Sequence, residues 1–172
     1  MAHILMVIAP NNFRDEEYFT PREIFFTNNH AVTTASDILG DIVGSKGGIA
    51  TATLLLKDVS ANNYDCVVFV GGSGSYEYDN NHQIHRIAHD FYSQQRLPTA
   101  ICHGPILLAK AGVLHGKKAT VFSGDAIELQ TLGVHYTQSD VVVDGTVITA
   151  NGPLAASNFA KTIISHLDNV NI

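Results

Sequence analysis

Short runs of β-branched and other apolar residues alternate along this chain with longer segments in which apolar positions recur every three or four residues. That alternation predicts a mostly parallel sheet with helices on both faces. The first apolar run, 4–9, stops at Pro10-Asn11-Asn12 and reads as a strand. A helix is expected over about 15–28, with Phe19, Ile24 and Phe26 among its apolar positions, and a second strand over 31–35. The stretch 42–56 contains Gly44, Gly47 and Gly48 and predicts a small β-hairpin excursion. The strongest strand signal is Cys66-Val67-Val68-Phe69-Val70, ended by Gly71-Gly72. Residues 80–94 predict a helix whose buried face holds Ile84, Ile87, Ala88 and Phe91. A short buried strand at 99–101 is followed by a helix over 105–111, opened by Pro105 in the first turn and closed by Gly112. Runs at 141–143 and 147–149 flank Asp144-Gly145, a favoured turn pair, and spell a second hairpin. A last helix is expected over 154–167. No linker, internal repeat or low-complexity segment interrupts the pattern, so residues 1–172 are read as one domain.

Composition narrows the classes of function. Hydrophobic residues make up 45% and charged residues 15% of the 172, a globular balance. With a net charge of -6 and only 10 Lys+Arg, no basic stripe exists to hold phosphates, and nucleic acid is not expected as a partner. No apolar run reaches the roughly 18–20 residues of a membrane helix, so no membrane partner is expected either. The first residues, Met1-Ala2-His3-Ile4, lack the basic segment and cleavage site of a signal peptide. Two cysteines are too few to staple a domain of this size, and neither sits in a metal-type pair. The expectation is a soluble protein in a reducing, cytoplasmic setting.

In an open α/β sheet, sites form beyond the carboxyl ends of the strands. Three segments reach that edge: 10–17, 71–74 and 102–105. Cys102 directly follows a strand and directly precedes a helix, and its neighbours at i−2 and i+2, Ala100 and Gly104, are small, as a nucleophile elbow requires. A free thiol with a pKa near 8.5 is only a few per cent thiolate at neutral pH. Lowering that pKa by ~3, with the help of N–H groups at a helix start, makes the thiolate dominant and is worth roughly 4 kcal/mol. Cys66, inside a continuous apolar strand, reads instead as an inert core thiol. His82, His85 and His89 share a helical face without an acidic or thiol partner in a ligand pattern, so no metal site is expected. Gly71-Gly72-Ser73-Gly74 lacks the Lys-Ser/Thr of a phosphate loop, and no cofactor is expected.

Ile101-Cys102-His103-Gly104-Pro105, with Val70-Gly71-Gly72 thirty residues earlier, resembles the ThiJ/PfpI superfamily, which is class I glutamine amidotransferase-like and of PfpI intracellular protease/deglycase type. The resemblance extends in order through Phe13-Arg14-Asp15-Glu16-Glu17 with Pro21 behind it, Ala111-Gly112-Val113-Leu114, Val142-Val143-Asp144-Gly145 and Gly152-Pro153. It implies a flavodoxin-like three-layer α/β/α sandwich and a homodimer or larger homo-oligomer. It also implies a reactive cysteine, Cys102, and a glutamate four residues before a proline, a spacing that Glu17 has to Pro21 and Glu16 does not. In such proteins this carboxyl is protonated and donates to the sulfur; a neutral acid donates a hydrogen bond, whereas a carboxylate repels a thiolate. By the same resemblance, backbone N–H groups of Gly72 and His103 form an oxyanion hole, and His103 is a candidate general acid or base. Two positions depart from the pattern. Tyr76 stands where the protease-like branch has the acid that orients the histidine, supplied there by a neighbouring subunit, which leaves open whether Glu77 or another subunit supplies it. Phe122 stands where the human-type branch has a substrate-binding histidine.

Three functions follow. The first is an enzyme acting on small α-oxoaldehydes such as methylglyoxal, or on their early protein adducts, in the manner of a glyoxalase III or deglycase; its substrate is a small-molecule carbonyl, and it needs no metal. The second is an intracellular cysteine peptidase or amidase acting on a peptide-like substrate, with His103 as the base. The third is a non-catalytic redox sensor or chaperone in which the thiolate is oxidised under oxidative stress.

Overall fold

The computed structural model describes residues 1–170. In chain order its elements are β1 (His3–Val7), α1 (Asp15–Thr27), β2 (Ala31–Ser36), β3 (Gly40–Val43), β4 (Ile49–Ala52), β5 (Leu54–Leu55), β6 (Cys66–Phe69), α2 (His82–Ser93), β7 (Leu97–Ile101), α3 (Gly104–Lys110), β8 (Lys118–Ala119), α4 (Ala126–Thr131), β9 (His135–Tyr136), β10 (Val141–Asp144), β11 (Val147–Ala150) and α5 (Ala156–Val170). Seven strands form one sheet in the order β10-β11-β7-β6-β1-β2-β5. Every pair in it is parallel except β10–β11. The hairpin β3–β4 stands apart as its own antiparallel pair, in the excursion that the glycines predict.

The pleat divides the continuous apolar runs between two cores. Leu5, Val7, Val67 and Phe69 face one side, where α2 adds Ile84, Ile87 and Phe91 and α3 adds Ile106 and Leu107. Ile4, Met6, Cys66 and Val68 face the other, against Phe25 of α1 and Phe159 and Ile163 of α5. Strands buried on both faces need apolar side chains at every position, and for that reason β6 reads as an unbroken apolar run. Each large side chain so buried contributes about 1.5–3 kcal/mol against the entropy of ordering the chain. The result is a rigid frame on which the strand ends are fixed.

The chain runs outward from β1 to β2 and β5 on one side, then returns to build β6, β7 and β11 on the other. The strand order therefore reverses between β1 and β6, where loops from neighbouring strands part and leave a crevice at their carboxyl ends. Three features depart from the sequence expectation. Leu54-Leu55 leaves the hairpin stretch and pairs with β2 at the edge of the main sheet. A short parallel pair, β8–β9, and helix α4 fill the region between α3 and β10. A 3-10 turn, Ser73–Tyr78, follows Gly72. No helix among the described residues is long and apolar enough to cross a membrane.

Candidate active site

Cys102 sits on the elbow between β7 and α3 with φ +64°, a left-handed conformation that non-glycine residues rarely adopt and that clusters at functional sites. Its backbone is held from both sides: its N–H donates to the Ala150 carbonyl (2.9 Å), and its carbonyl accepts from the Phe122 N–H (2.9 Å). The small neighbours are a steric necessity. A Cβ on Gly104 would lie 2.5 Å from the Phe69 carbonyl oxygen and 3.1 Å from the Ala100 Cβ. Gly71 has the same role on the facing loop, since a Cβ there would lie 2.5 Å from the Cys102 Cβ and 2.6 Å from Glu17 Oε2. Thus β6, β7 and α1 converge on one point.

Glu17, in the first turns of α1, is completely buried. Its Oε2 accepts from the Gly71 N–H at 3.0 Å, whereas its Oε1 is buried without a hydrogen-bond partner. The segment that carries it is gripped by backbone bonds: the Arg14 N–H donates to the Gly71 carbonyl (3.0 Å), and the Gly74 N–H to the Asn12 carbonyl (3.3 Å). Asp15 anchors α1 to the hairpin by accepting from the Lys46 and Gly48 N–H groups at 2.8 and 2.7 Å. Pro21 lies inside α1, and its missing N–H leaves the Glu17 carbonyl without its usual intrahelical donor.

The electrostatics of the pair follow from this burial. Desolvation pushes the Glu17 carboxyl up to about 7, outweighing the hydrogen bonding and the Arg14 charge that favour its ionised form. Burial, and then the facing Glu17 carboxylate, push the Cys102 thiol up to about 12, while the N–H groups of Gly72 and His103 pull the other way. The elbow alone therefore does not give the low-pKa thiolate expected from sequence, because removal from water outweighs the backbone donors. Much of the upward push requires a charge on Glu17. With the proton on Glu17, that repulsion vanishes and a donor replaces it, so the thiol and carboxyl are one coupled site in which the place of a shared proton decides whether sulfur is nucleophilic.

The His103 side chain departs from its expected role. It is buried; Nδ1 lies 2.9 Å from Asp125 Oδ2 and Nε2 lies 2.6 Å from Asp79 Oδ1. A ring with both nitrogens bound to carboxyl groups has no lone pair to offer a thiol, so the imidazole is not the base of Cys102 in this geometry. The acids that orient it come from this same chain. Glu77 is not one of them, since it accepts from Asn11 Nδ2 at 3.2 Å. Asp79 also binds Lys110 Nζ at 3.0 Å, and Lys110 reaches Glu128 at 3.1 Å. Tyr76 stacks on the His103 ring (centroids 3.6 Å apart, planes at 22°) and donates its hydroxyl to Asp125 at 3.1 Å. Burial and the Asp125 charge raise the pKa of that phenol and keep its proton on. Sequence reasoning missed both aspartates; the available signal was an acid at the end of each loop that meets over the elbow.

The Gly72 N–H lies against the Cys102 sulfur. The φ of Gly72, +106°, favours glycine, and a Cβ would collide with the Arg14 nitrogen and the Asn12 carbonyl oxygen. Gly72, Ser73, Tyr76, Phe122 and Pro153 rim a cavity of about 300 Å³ that reaches Cys102 and Glu17. The histidines of α2 lie elsewhere, and among the described residues no three His, Cys, Asp or Glu side chains are placed to hold a metal ion. The structure therefore brings together Cys102, Glu17 and Gly72, together with the His103 backbone, and turns the His103 ring into a buried hydrogen-bonded cluster with Asp79 and Asp125.

The DJ-1/PfpI family model matches residues 2–166. The chain belongs to the DJ-1/PfpI family. It is 42% identical to an uncharacterized protein of Methanocaldococcus jannaschii over 173 residues, covering 99% of this chain and 84% of that relative. Deglycase PfpI of Pyrococcus furiosus is 30% identical over 149 residues, covering 87% of this chain and 90% of its own. Among solved structures, a ThiJ/PfpI domain protein from Brachyspira murdochii superposes with a TM-score of 0.95 at 31% identity, covering 97% of this chain and 96% of that one. Drosophila melanogaster DJ-1beta follows with a TM-score of 0.87 at 28% identity, over 96% of this chain and 90% of that one. The flavodoxin-like sandwich expected from the motifs is thus the DJ-1/PfpI fold.

Proposed function

We propose that this protein is a cysteine-dependent enzyme acting on small α-oxoaldehydes, free or as early adducts on amines. The observation that carries the reading is a fully buried carboxyl, Glu17, with one oxygen lacking any hydrogen-bond partner, beside a thiol on a strained elbow. A partnerless oxygen in a dry site disfavours the carboxylate and favours a neutral acid with one proton to give. The Cys102 thiolate adds to the aldehyde carbon, forming the S–C bond as the carbonyl π pair moves onto oxygen. The N–H groups of Gly72 and His103 hold that oxygen, which takes the Glu17 proton to give a hemithioacetal. Glu17, now a carboxylate, removes the proton from the former aldehyde carbon; the enediol formed is reprotonated at the neighbouring carbon, leaving a thioester of a 2-hydroxy acid. Water hydrolyses it, and the net change is oxoaldehyde plus water to 2-hydroxy acid.

The occupied nitrogens of His103 weigh against an amidase, which needs a base for the thiol and a proton for the leaving amine. The oxoaldehyde reading carries with it a cytoplasmic setting, where reducing conditions keep Cys102 free, and a homodimer or larger homo-oligomer. Methylglyoxal consumption and lactate formation test it, with wild type, Cys102→Ser and Glu17→Gln compared without added thiol or metal. Turnover by wild type alone is the expected result. Silence from all three, while Cys102 still alkylates at neutral pH, overturns the reading and leaves oxidative sensing.

A further inference from the structure

The walls of the Cys102 cavity have little polarity to offer a ligand. Arg14, the cation on its edge, is held by Glu16 through Nε (2.7 Å) and Nη2 (3.3 Å), so its charge is already paired. The Tyr76 hydroxyl donates to Asp125, which leaves the ring as the part of Tyr76 that lines the cavity. Phe122 and Pro153 complete that rim, and Leu154 beside it is fully exposed. Tyr76 and Phe122 remain 44% and 43% exposed, an unusual investment of apolar surface around a polar reaction.

Tyr76 is held by its side chain, and Phe122 is anchored at its backbone. Tyr76 stacks on His103, which is fixed by an aspartate at each nitrogen. Phe122 donates its backbone N–H to the Cys102 carbonyl, and its ring lies so close over Gly124 that a Cβ there would meet Phe122 Cε1 at 2.6 Å. The glycine is what allows the ring its position. Two aromatic side chains at the mouth of a nucleophile's cavity, one held by stacking and the other anchored at its backbone, form a binding wall for a flat apolar group.

We propose that Phe122 and the ring of Tyr76 are specificity determinants, and that the site prefers 2-oxoaldehydes carrying an aryl or bulky apolar substituent over a methyl group and rejects a carboxylate. This rests on the oxoaldehyde reading for the reaction, though the binding preference can be measured without turnover. In the first arm, kcat/KM is compared for phenylglyoxal, methylglyoxal and glyoxylate in wild type, Phe122→Ala, Phe122→Leu and Tyr76→Phe. The phenyl-to-methyl ratio is expected to fall by about tenfold or more in Phe122→Ala, less in Phe122→Leu, and to stay in Tyr76→Phe, which keeps the ring. In the second arm, Cys102 is alkylated with N-benzyl iodoacetamide, iodoacetamide and iodoacetate, each rate divided by that of a free thiol. The benzyl reagent is expected to be favoured and iodoacetate disfavoured, with the benzyl preference lost in Phe122→Ala. That preference without oxoaldehyde turnover sustains the aromatic wall and removes the reaction assigned above. Turnover with a ratio that Phe122→Ala leaves unchanged overturns the wall and keeps the reaction.

Discussion

Cys102 and His103 are adjacent in the chain, yet their side chains enter opposite kinds of surroundings. Around His103 every polar atom is matched: both ring nitrogens meet carboxyl groups, one of those acids also binds Lys110, and the other accepts from Tyr76. Around Cys102 the matching stops short, because Glu17 is buried with an oxygen that has no partner. A satisfied cluster holds its shape. An unsatisfied carboxyl against a thiol is uncomfortable in its charged form, and only a shift of the proton, or a ligand, relieves it. Stored electrostatic discomfort marks the chemistry, and completed hydrogen bonding marks the scaffold.

Substitutions on the two sides should therefore fail differently, and the largest effect belongs to the unsatisfied one. Glu17→Gln keeps the shape but cannot pass a proton, so kcat/KM for an oxoaldehyde should drop by about 10²–10⁴. Steady-state kinetics check this, and a loss below tenfold would remove Glu17 from the reaction. His103→Ala should instead cost about 3–5 kcal/mol of stability, because two carboxyl groups lose a buried partner. Urea unfolding reads that loss. The rate of Cys102 alkylation should stay within about threefold, because the backbone N–H at position 103 remains. A collapse of alkylation at unchanged stability would restore the ring to the chemistry.

A pH series sharpens the same contrast. In the folded protein Glu17 titrates at about 7, above its ordinary 4.5. Between those values the folded state holds a proton that the unfolded chain has released. Glu17's contribution is thus fully present below about 4.5, falls as pH rises, and is lost above about 7, a change of about 3 kcal/mol. In a Cys102→Ser background, where only the carboxyl titrates, the urea midpoint should drop from pH 5 to pH 8 relative to Cys102→Ser with Glu17→Gln. Parallel curves for the two proteins would mean that Glu17 is ionised throughout.

How far the sequence carried this contrast depends on distance along the chain. The strands of the main sheet other than β5, and the helices α1, α2 and α3, were legible within about two residues, because unbroken apolar runs and a 3.6-residue period are local signals. That Cys102 stands on an elbow was legible from the small residues around it, whereas the meeting of Glu17 and Gly72 with it was expected only from the family resemblance, and the crowding around Gly71 and Gly72 is its steric counterpart. Asp79 and Asp125 were not legible, since they reach His103 from 24 and 22 positions away and no periodicity points to them. The two-residue strands β5, β8 and β9 are too short to carry a pattern. The raised thiol was missed for a physical reason: the chain order reveals the N–H groups at a helix start, whereas desolvation appears only when the sheet, α1 and the Gly71 loop close around the sulfur.

The smallest effect expected is at the other thiol, and it isolates what the elbow adds. Cys66 is as buried as any core residue, on a straight strand, with its sulfur 3.9 Å from Thr99 Oγ1. Burial pushes its pKa far up, as it pushes that of Cys102. If burial alone set reactivity, the two thiols would both be silent at neutral pH. The difference is that Cys102 opens onto a cavity, has N–H groups of Gly72 and His103 against it, and faces an acid able to take its proton. One equivalent of iodoacetamide should therefore react per native chain at pH 7, all of it at Cys102 by peptide mapping. Cys66→Ala should leave that stoichiometry and the kcat/KM unchanged while lowering stability by about 1 kcal/mol, the cost of a small cavity in β6. Labelling of Cys66 in the native protein would mean that its strand opens, and the contrast between a sheltered thiol and a presented one would lose its basis.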